Sequence, residues 1–416
     1  MRTPEMQVRD LNVKEKFKLS KFLVQWEMIL VYILIAINVF LIILRPNLYF
    51  ESGTIQTIIR SGMDLSIMVL GMIFILMLGD IDVSVGSIMI VSCMVMGLLY
   101  DAGMPSIIAV LGGIIAGGIC GAFNGTLVAK FKMPAVIVTI ATSMLFRGIV
   151  EIVLDVNTLK NYPSWFSTLA WGDLGGILPY SMIFFLVIGA VFAVVLHKTK
   201  FGRELYIIGN SPTVAEYSGI RVVRVKIIVF VIMGCAAALS GILFAGRRAG
   251  ISSGMGSGYE LQAIAIAVLG GVSTKGGKGK AYGPIIATFI MAFLSKTLDL
   301  LEVHANTQKI IIGVILLVAV MIPMVNKDFI AGLKLRFLYM GDKNIEALNN
   351  KSAAEQQELK TKIAEAYADN SLSAAERKEK VDAYNAEITT LRAKCAEATK
   401  KAKQDLKEQR AQNKNN

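Results

Sequence analysis

One uncharged apolar run, MILVYILIAINVFLIIL (residues 28–44), constrains this chain more than any other feature. A second, MIFFLVIGAVFAVVL, occupies residues 182–196. A bilayer core of ~30 Å is crossed by roughly 20 apolar helical residues. Backbone polar groups find no partner in lipid, so a spanning segment is a helix or part of a closed barrel. Barrel strands alternate apolar and polar residues over about ten positions, and the sequence has no such alternation. With 54% of its 416 residues hydrophobic, the chain reads as an all-α integral membrane protein.

Run length gives about ten spans. They are expected at residues 26–44, 59–78, 87–100, 107–129, 135–154, 180–196, 227–244, 261–271, 283–298 and 309–325. The eighth is short and reads as broken. The domain reading is a cytoplasmic segment over 1–25, a transmembrane region over 26–326 and a cytoplasmic helical extension over 327–416.

Lys and Arg in short loops set orientation, because they stay on the cytoplasmic side. They crowd the N-terminal segment (Arg2, Arg9, Lys14, Lys16, Lys18, Lys21) and the loop before the fifth span (Lys130, Lys132). They also crowd the loop before the seventh span (Lys198, Lys200, Arg203, Arg221, Arg224, Lys226) and the one before the ninth (Lys275, Lys278, Lys280). Alternating spans bring all of these to one face and leave both termini cytoplasmic. The opposite face holds DVNTLKNYPSWFSTLAWGDLGG (residues 155–176), with a single lysine. Arg247 and Arg248 are exceptions, at the outer end of the seventh span. The net charge of +12 therefore reports topology, not nucleic-acid binding.

Other chemistries find little support. Four scattered cysteines, Cys93, Cys120, Cys235 and Cys395, form no CxxC pair, and the two histidines are too few for a His-based zinc or catalytic site. No catalytic or metal residue is assigned. No cleavable signal peptide is expected, since MRTPEMQVRDLNVKEKFKLSK is polar and basic for too long. In GGVSTKGGKGK (residues 270–280), taking Gly277-Lys278 as the G-K of a Walker A loop puts Val272 first and Gly279 last, and both fail G-x-x-x-x-G-K-[ST]. A tight turn is expected there.

Several local patterns carry structure. Gly113, Gly117, Gly121 and Gly125, four apart, put a bare stripe on the fourth span, which lets another backbone approach; a substrate-facing groove is the alternative. Arg60 with Asp64, and Arg147 with Glu151, have the i,i+4 spacing of a helical ion pair. Past residue 344, Val381, Tyr384, Ile388, Leu391, Cys395, Ala398 and Ala402 step by three and four, a heptad seam. Ser373 and Glu376 form a capping box before it, and an earlier helix bears Leu359, Ile363 and Tyr367. A helical hairpin is expected; a partly helical solvated tail is the alternative.

The segment GDIDVSVGS (residues 79–87) interrupts the second and third spans with two carboxylates, Asp80 and Asp82, among Gly79, Ser84, Gly86 and Ser87. Gly79 can end one helix, and Asp82 or Ser84 can cap the next. Charged residues within spans are costly and mark function. In the loop after the sixth span, Ser211 is a good N-cap, Pro212 suits the first helical position and Gly219 suits the C′ position. A short helix over residues 211–218 follows, either a docking element or a connector.

That loop, GRELYIIGNSPTVAEYSGI (residues 202–220), resembles the coupling loop of permease subunits of bacterial sugar ABC importers, the ribose, xylose, rhamnose and autoinducer type. Gly202, Arg203, Tyr206, Gly209, Asn210, Ala215, Ser218, Gly219 and Ile220 fit the family pattern, whose extra Gly before the Asn is absent here. GDIDVSVGS resembles the family's G-G-I-D-L-S-V-G-S. GAFNGTLVAKFKMPAVIVTIATSMLFRG (residues 121–148) and GSGYELQAIAIAVLGGVSTKGGKGKAYG (residues 256–283) match further elements in the same order.

The resemblance implies a multi-pass permease of the bacterial inner membrane, working as a homo- or heterodimer. Two cytoplasmic ATPase subunits and an extracytoplasmic solute-binding protein complete such an importer. ATP and Mg belong to those partners, and this chain binds no cofactor and acts as no enzyme. The coupling loop is expected to comprise Gly202, Arg203, Gly209, Asn210, Ser211, Pro212, Ala215, Glu216, Ser218 and Gly219. Gly79, Asp80, Asp82, Ser84, Gly86, Ser87, Asn124, Thr139 and Glu260 are expected along the broken span and the pathway. Glu260 suits a cap or gate for the segment ELQAIAIA. The C-terminal extension departs from the family, whose members stop soon after the last span. Two alternatives stay open: an ion-coupled secondary transporter built on Asp80 and Asp82, and an ABC permease for nucleosides or branched-chain amino acids.

Overall fold

The computed structural model describes residues 25–304 apart from 156 and 249, scattered positions between 307 and 317, and residues 343–368 and 374–412. The chain divides into two compact units, Met1–Pro323 and Met324–Asn416.

Among the described residues of the first unit, the chain forms helices α1 (Trp26–Leu44), α2 (Pro46–Tyr49), α3 (Thr54–Met77), α4 (Val85–Asp101), α5 (Ser106–Ala129), α6 (Ala135–Leu154), α7 (Ser164–Trp171), α8 (Tyr180–Lys198), α9 (Lys200–Asn210), α10 (Pro212–Tyr217), α11 (Val222–Arg248), α12 (Tyr259–Leu269) and α13 (Tyr282–Leu300). A minimal antiparallel hairpin, β1 (Asp173–Leu174) with β2 (Leu178–Pro179), precedes α8. Among the described residues, seven helices are long and apolar enough to cross a membrane: α1, α3, α5, α6, α8, α11 and α13. Two shorter apolar helices, α4 and α12, stand where the third and eighth spans were expected. The tenth expected span lies largely outside the described residues.

The core is built around α3 and α11. Every residue of α3 from Met63 to Met77 is buried, so this helix is apolar all round rather than amphipathic. By contrast α5, α6 and α8 expose Ile107, Ile119, Met144, Ile152 and Val187. Large exposed apolar side chains on long uncharged helices are a surface for lipid tails. The glycine stripe of α5 lies against α11 and α4: a Cβ on Gly117 would stand 2.5 Å from the Gly234 carbonyl oxygen, and one on Gly125 2.9 Å from the Ile227 Cα. The stripe is therefore a close-packing surface between backbones.

Contacts between loops divide the unit into two faces. At one, the Trp26 indole donates to the Leu269 carbonyl at 2.9 Å and Lys280 pairs with Glu27 at 2.8 Å. The Ala281 amide donates to His197 Nε2 at the same face. At the other, Gln56 donates to the Gly176 carbonyl, Arg60 pairs with Asp173, and Leu159 bridges to Ile251. Segments that charge counting assigned to one side meet one another.

The two expected i,i+4 pairs do not form. Arg60 turns to Asp173, while Asp64 pairs with Arg247 of α11 at 2.6 Å. Arg147 donates to the carbonyls of Ser253 and Met255 at 2.9 and 3.1 Å rather than to Glu151. A helical pair on the protein surface is worth a few tenths of a kcal/mol. A buried guanidinium or carboxylate gains more from a partner that also removes an unsatisfied group.

The second unit contains α14 (Lys343–Ala368) and α15 (Ala374–Gln412). Leu359, Ala366, Val381 and Ile388 are buried among its described residues. Tyr367 is exposed and Ala366 takes the inner position, because Leu359, Ile363 and Ala366 hold the step of four and three. Arg392 Nε donates to Gln356 Oε1 at 3.1 Å across the two helices. The Ser373 of the expected capping box lies outside the described residues.

Candidate functional site

Two carboxylates separated by one residue have different fates in the segment between α3 and α4. Asp80 reaches Lys226 near the start of α11, with Oδ2 to Nζ at 2.7 Å. Asp82 is fully buried, and its Oδ1 accepts from the Ser84 amide at 2.8 Å and the Ser84 hydroxyl at 2.6 Å. Ser84 occupies the N-cap position of α4, yet neither its side chain nor that of Asp82 accepts a backbone amide from the first turn of that helix. The expected side-chain cap is thus replaced by an Asx turn that shapes the entry to α4. Ser87 folds back to the Ser84 carbonyl at 2.7 Å.

Neighbouring helices complete this buried network. Asn124 of α5 donates from Nδ2 to Ser84 Oγ at 2.8 Å. Thr139 of α6 accepts the Val83 amide at 3.1 Å and donates to its own helix at the Ala135 carbonyl, 2.9 Å away. Asp82, Ser84, Asn124 and Thr139 are all 0% exposed. Asp82 Oδ2 and Asn124 Oδ1 retain no partner. The structure therefore brings together four of the expected pathway residues. Glu260 arrives from α12: its Oε1 accepts the amide of Gly258, the N-cap residue of that helix, at 3.1 Å. Its other oxygen lies over Gly86 in the first turn of α4, where a Cβ would stand 2.6 Å from Oε2. One carboxylate thus lies beside two helix N-termini, the ends that favour negative charge, with Oε1 bonded at α12 and Oε2 making no hydrogen bond at α4.

A second cluster lies at the basic face. Helix α10 begins with Ser211 accepting the Val214 amide at 3.3 Å and has Pro212 in its first turn. It ends in a Schellman motif: Gly219 (φ 78°) donates to Glu216, and Ile220 donates to Ala215. Ala215 is buried, whereas Val214 and Tyr217 are 57% and 89% exposed. Immediately before it stands α9, which sequence reading did not find. Thr199 caps α9 by accepting the Gly202 amide at 3.2 Å, and Gly202, Leu205 and Ile208 form its buried face. The signal was available as Thr199 followed three residues on by Gly202 and a three-four apolar step. It was hidden by its position directly after a span.

The end of α9, the end of α3 and the turn over residues 273–279 meet at one point. The Gly277 amide donates to the Met77 carbonyl at 2.9 Å, filling an acceptor that the last turn of α3 would otherwise leave open. A Cβ on Gly209 would collide with both Met77 and Gly277. Tyr206 donates its hydroxyl to the Gly279 carbonyl at 2.7 Å. Burial raises the Tyr206 pKa, which keeps that hydroxyl a donor. Gly276 and Gly277 adopt φ of 85° and 68°, conformations that glycine reaches without steric cost. Arg203 and Glu216, also expected in this loop, are exposed.

A third cluster was not anticipated. Asp64 Oδ2 accepts from Arg247 at 2.6 Å and from the Tyr259 hydroxyl at 3.0 Å, and Ser240 bonds the Asp64 carbonyl. Arg247, the exception to the charge count, is thus held in a buried ion pair that joins α3, α11 and α12.

The profile of the family described as branched-chain amino acid transport system / permease component matches residues 54–320. The ribose import permease protein RbsC of Bacillus subtilis (strain 168) is 34% identical over 67% of this chain and 87% of its own length. The D-allose transport system permease protein AlsC of Escherichia coli (strain K12) is 30% identical over 75% of this chain and 95% of its own. The autoinducer 2 import system permease protein LsrC of Photorhabdus laumondii subsp. laumondii is 34% identical over 65% and 80%. No solved structure shows significant similarity.

Proposed function

The chain belongs to the branched-chain amino acid transport system / permease component family, and from that premise we propose that it imports a small sugar or related polyhydroxylated solute. It is a multi-pass inner-membrane permease component, a transport subunit rather than an enzyme. The substrate class follows its relatives, which are named for ribose, D-allose and autoinducer 2. ATP hydrolysis resides in partner subunits, a solute-binding protein delivers the cargo, and the permease acts as a dimer.

One observation carries the coupling half of this reading: the junction of α9, α3 and the turn over residues 273–279 beside the capped helix α10. Helix α10 presents Val214 and Tyr217 outward, and its neighbour α9 abuts the end of α3. A push on α10 is passed to Met77, then to the Asp82–Ser84 turn that opens α4. Gly202, Arg203, Gly209, Asn210, Ser211, Pro212, Ala215, Glu216, Ser218 and Gly219 form the coupling loop in this scheme. Gly79, Asp80, Asp82, Ser84, Gly86, Ser87, Asn124, Thr139 and Glu260 form the responding break. Residues after 326 form a cytoplasmic extension.

Uptake by the assembled importer in proteoliposomes tests the substrate class, with labelled D-ribose and D-allose as probes and leucine and adenosine as controls. Import of either sugar supports the reading. Import of leucine or adenosine alone overturns it.

A further inference from the structure

The cluster of Asp64, Arg247 and Tyr259 lines a cavity of about 220 Å³ among α3, α11, α12 and α13, and neither the coupling scheme nor the break uses it. It is smaller than the roughly 300–1,000 Å³ of drug-sized sites, the scale of a single small ring. The cavity has a direction. Asp299 at one end has a side chain 49% exposed, whereas Asp64 is 2% exposed. It opens on the face that also carries the Arg60–Asp173 pair, away from the basic loops.

Its chemistry is particular. Asp64 Oδ1 and Arg247 Nε make no hydrogen bond, and neither has surface that a water-sized group can reach in this conformation. The groups free to meet a solute are the half-buried Gln262 and Ser295 side chains, which line the space and make no hydrogen bond among the described residues. An amide and a hydroxyl each give and accept hydrogen bonds, as a solute hydroxyl does, whereas a cation or an anion answers only one half. Met291 and Ile266 supply apolar wall for carbon-bound hydrogens. Polar groups that converge on a partly apolar cavity are the usual make-up of a small-molecule site.

We propose that this cavity is a subsite for a single-ring polyhydroxylated solute on the external half of the permease, an inference that rests on the import of such solutes proposed above. The solute hydroxyls bond the Gln262 amide and the Ser295 hydroxyl on the wall, above the closed Asp64–Arg247 ion pair. Occupancy is sensed at the opposite face, because Tyr259 begins α12 and the end of α12 leads into the turn that holds Met77.

The test uses the assembled importer in proteoliposomes with the external face outward. Ser295→Cys near the mouth and Thr288→Cys at depth are treated with a membrane-impermeant methanethiosulfonate. The wild type, with its four cysteines, sets the background. Both positions should label, and whichever of D-ribose and D-allose the wild type imports should slow labelling. Gln262→Leu should raise the half-protecting concentration about fivefold, the scale of one hydrogen bond. Gln262→Cys replaces Thr288→Cys if the latter does not assemble. Absence of labelling, or labelling that the imported sugar leaves unchanged, overturns the subsite while import stands. Import of neither sugar by the wild type overturns the substrate class and the subsite together.

Discussion

The amide of Gly277 donates to the carbonyl of Met77 at 2.9 Å, so the turn over residues 273–279 caps the helix that ends at the broken span. Gly209 fits against the same two residues with no room for a methyl group. Gly209→Ala should force α9 off this junction. The expected result is uptake reduced about tenfold or more, the scale of one lost fixed contact, with insertion intact by membrane fractionation and ATP hydrolysis in the complex retained. Uptake close to wild type would show that α9 and α3 do not move as one.

Asp82 is predicted to act through the shape of its Oδ1 acceptor. Asn retains that oxygen, so Asp82→Asn should lower the melting temperature of the purified permease only slightly. Asp82→Leu leaves the Ser84 amide and hydroxyl without a partner in a fully buried site. Each orphaned group costs about 1–3 kcal/mol, so this variant should lose both stability and uptake. Equal loss of uptake in the two variants, with Asp82→Asn still stable, would assign the role to charge.

The Asp80–Lys226 pair is more exposed, with side chains 16% and 18% accessible. Ion pairs near the surface are worth about 0–1 kcal/mol. Asp80→Asn should therefore be tolerated, and a double-mutant cycle with Lys226→Met should give a coupling energy below about 1 kcal/mol in chemical unfolding. A larger value would make the pair a structural tie between the break and α11.

Tyr217 is 89% exposed on α10 and touches little of its own chain. Tyr217→Ala should leave thermal stability within about 0.5 kcal/mol of wild type, as surface changes do. Co-purification with the ATPase subunits should weaken in the same variant, because exposed aromatic anchors carry much of an interface. Unchanged assembly would remove Tyr217 from the docking surface.

The spans were legible because the bilayer imposes length and hydropathy on each segment separately. Helix α10 was legible because Ser211, Pro212 and Gly219 each act on the backbone within a few residues. The pairing of Asp64 with Arg247 was not, since the partners lie 183 positions apart and a nearer arginine offered a local alternative. Asp82 was read as a cap for α4, whereas its bond runs to Ser84 two residues on rather than into the first turn of that helix. Spacing alone does not separate an Asx turn from an N-cap. The Asn124 and Thr139 contacts to the break come from helices that only tertiary packing brings together.

The measurement closest to the central claim is solute uptake by proteoliposomes holding the permease, its ATPase subunits and the binding protein, with all ion gradients collapsed. Uptake should require ATP on the side that carries α10. It should vanish in Val214→Pro, which breaks that helix, while ATP hydrolysis continues without stimulation by loaded binding protein. Uptake driven by an ion gradient with no ATPase subunit present, or full ATP-driven uptake by Val214→Pro, would contradict the account.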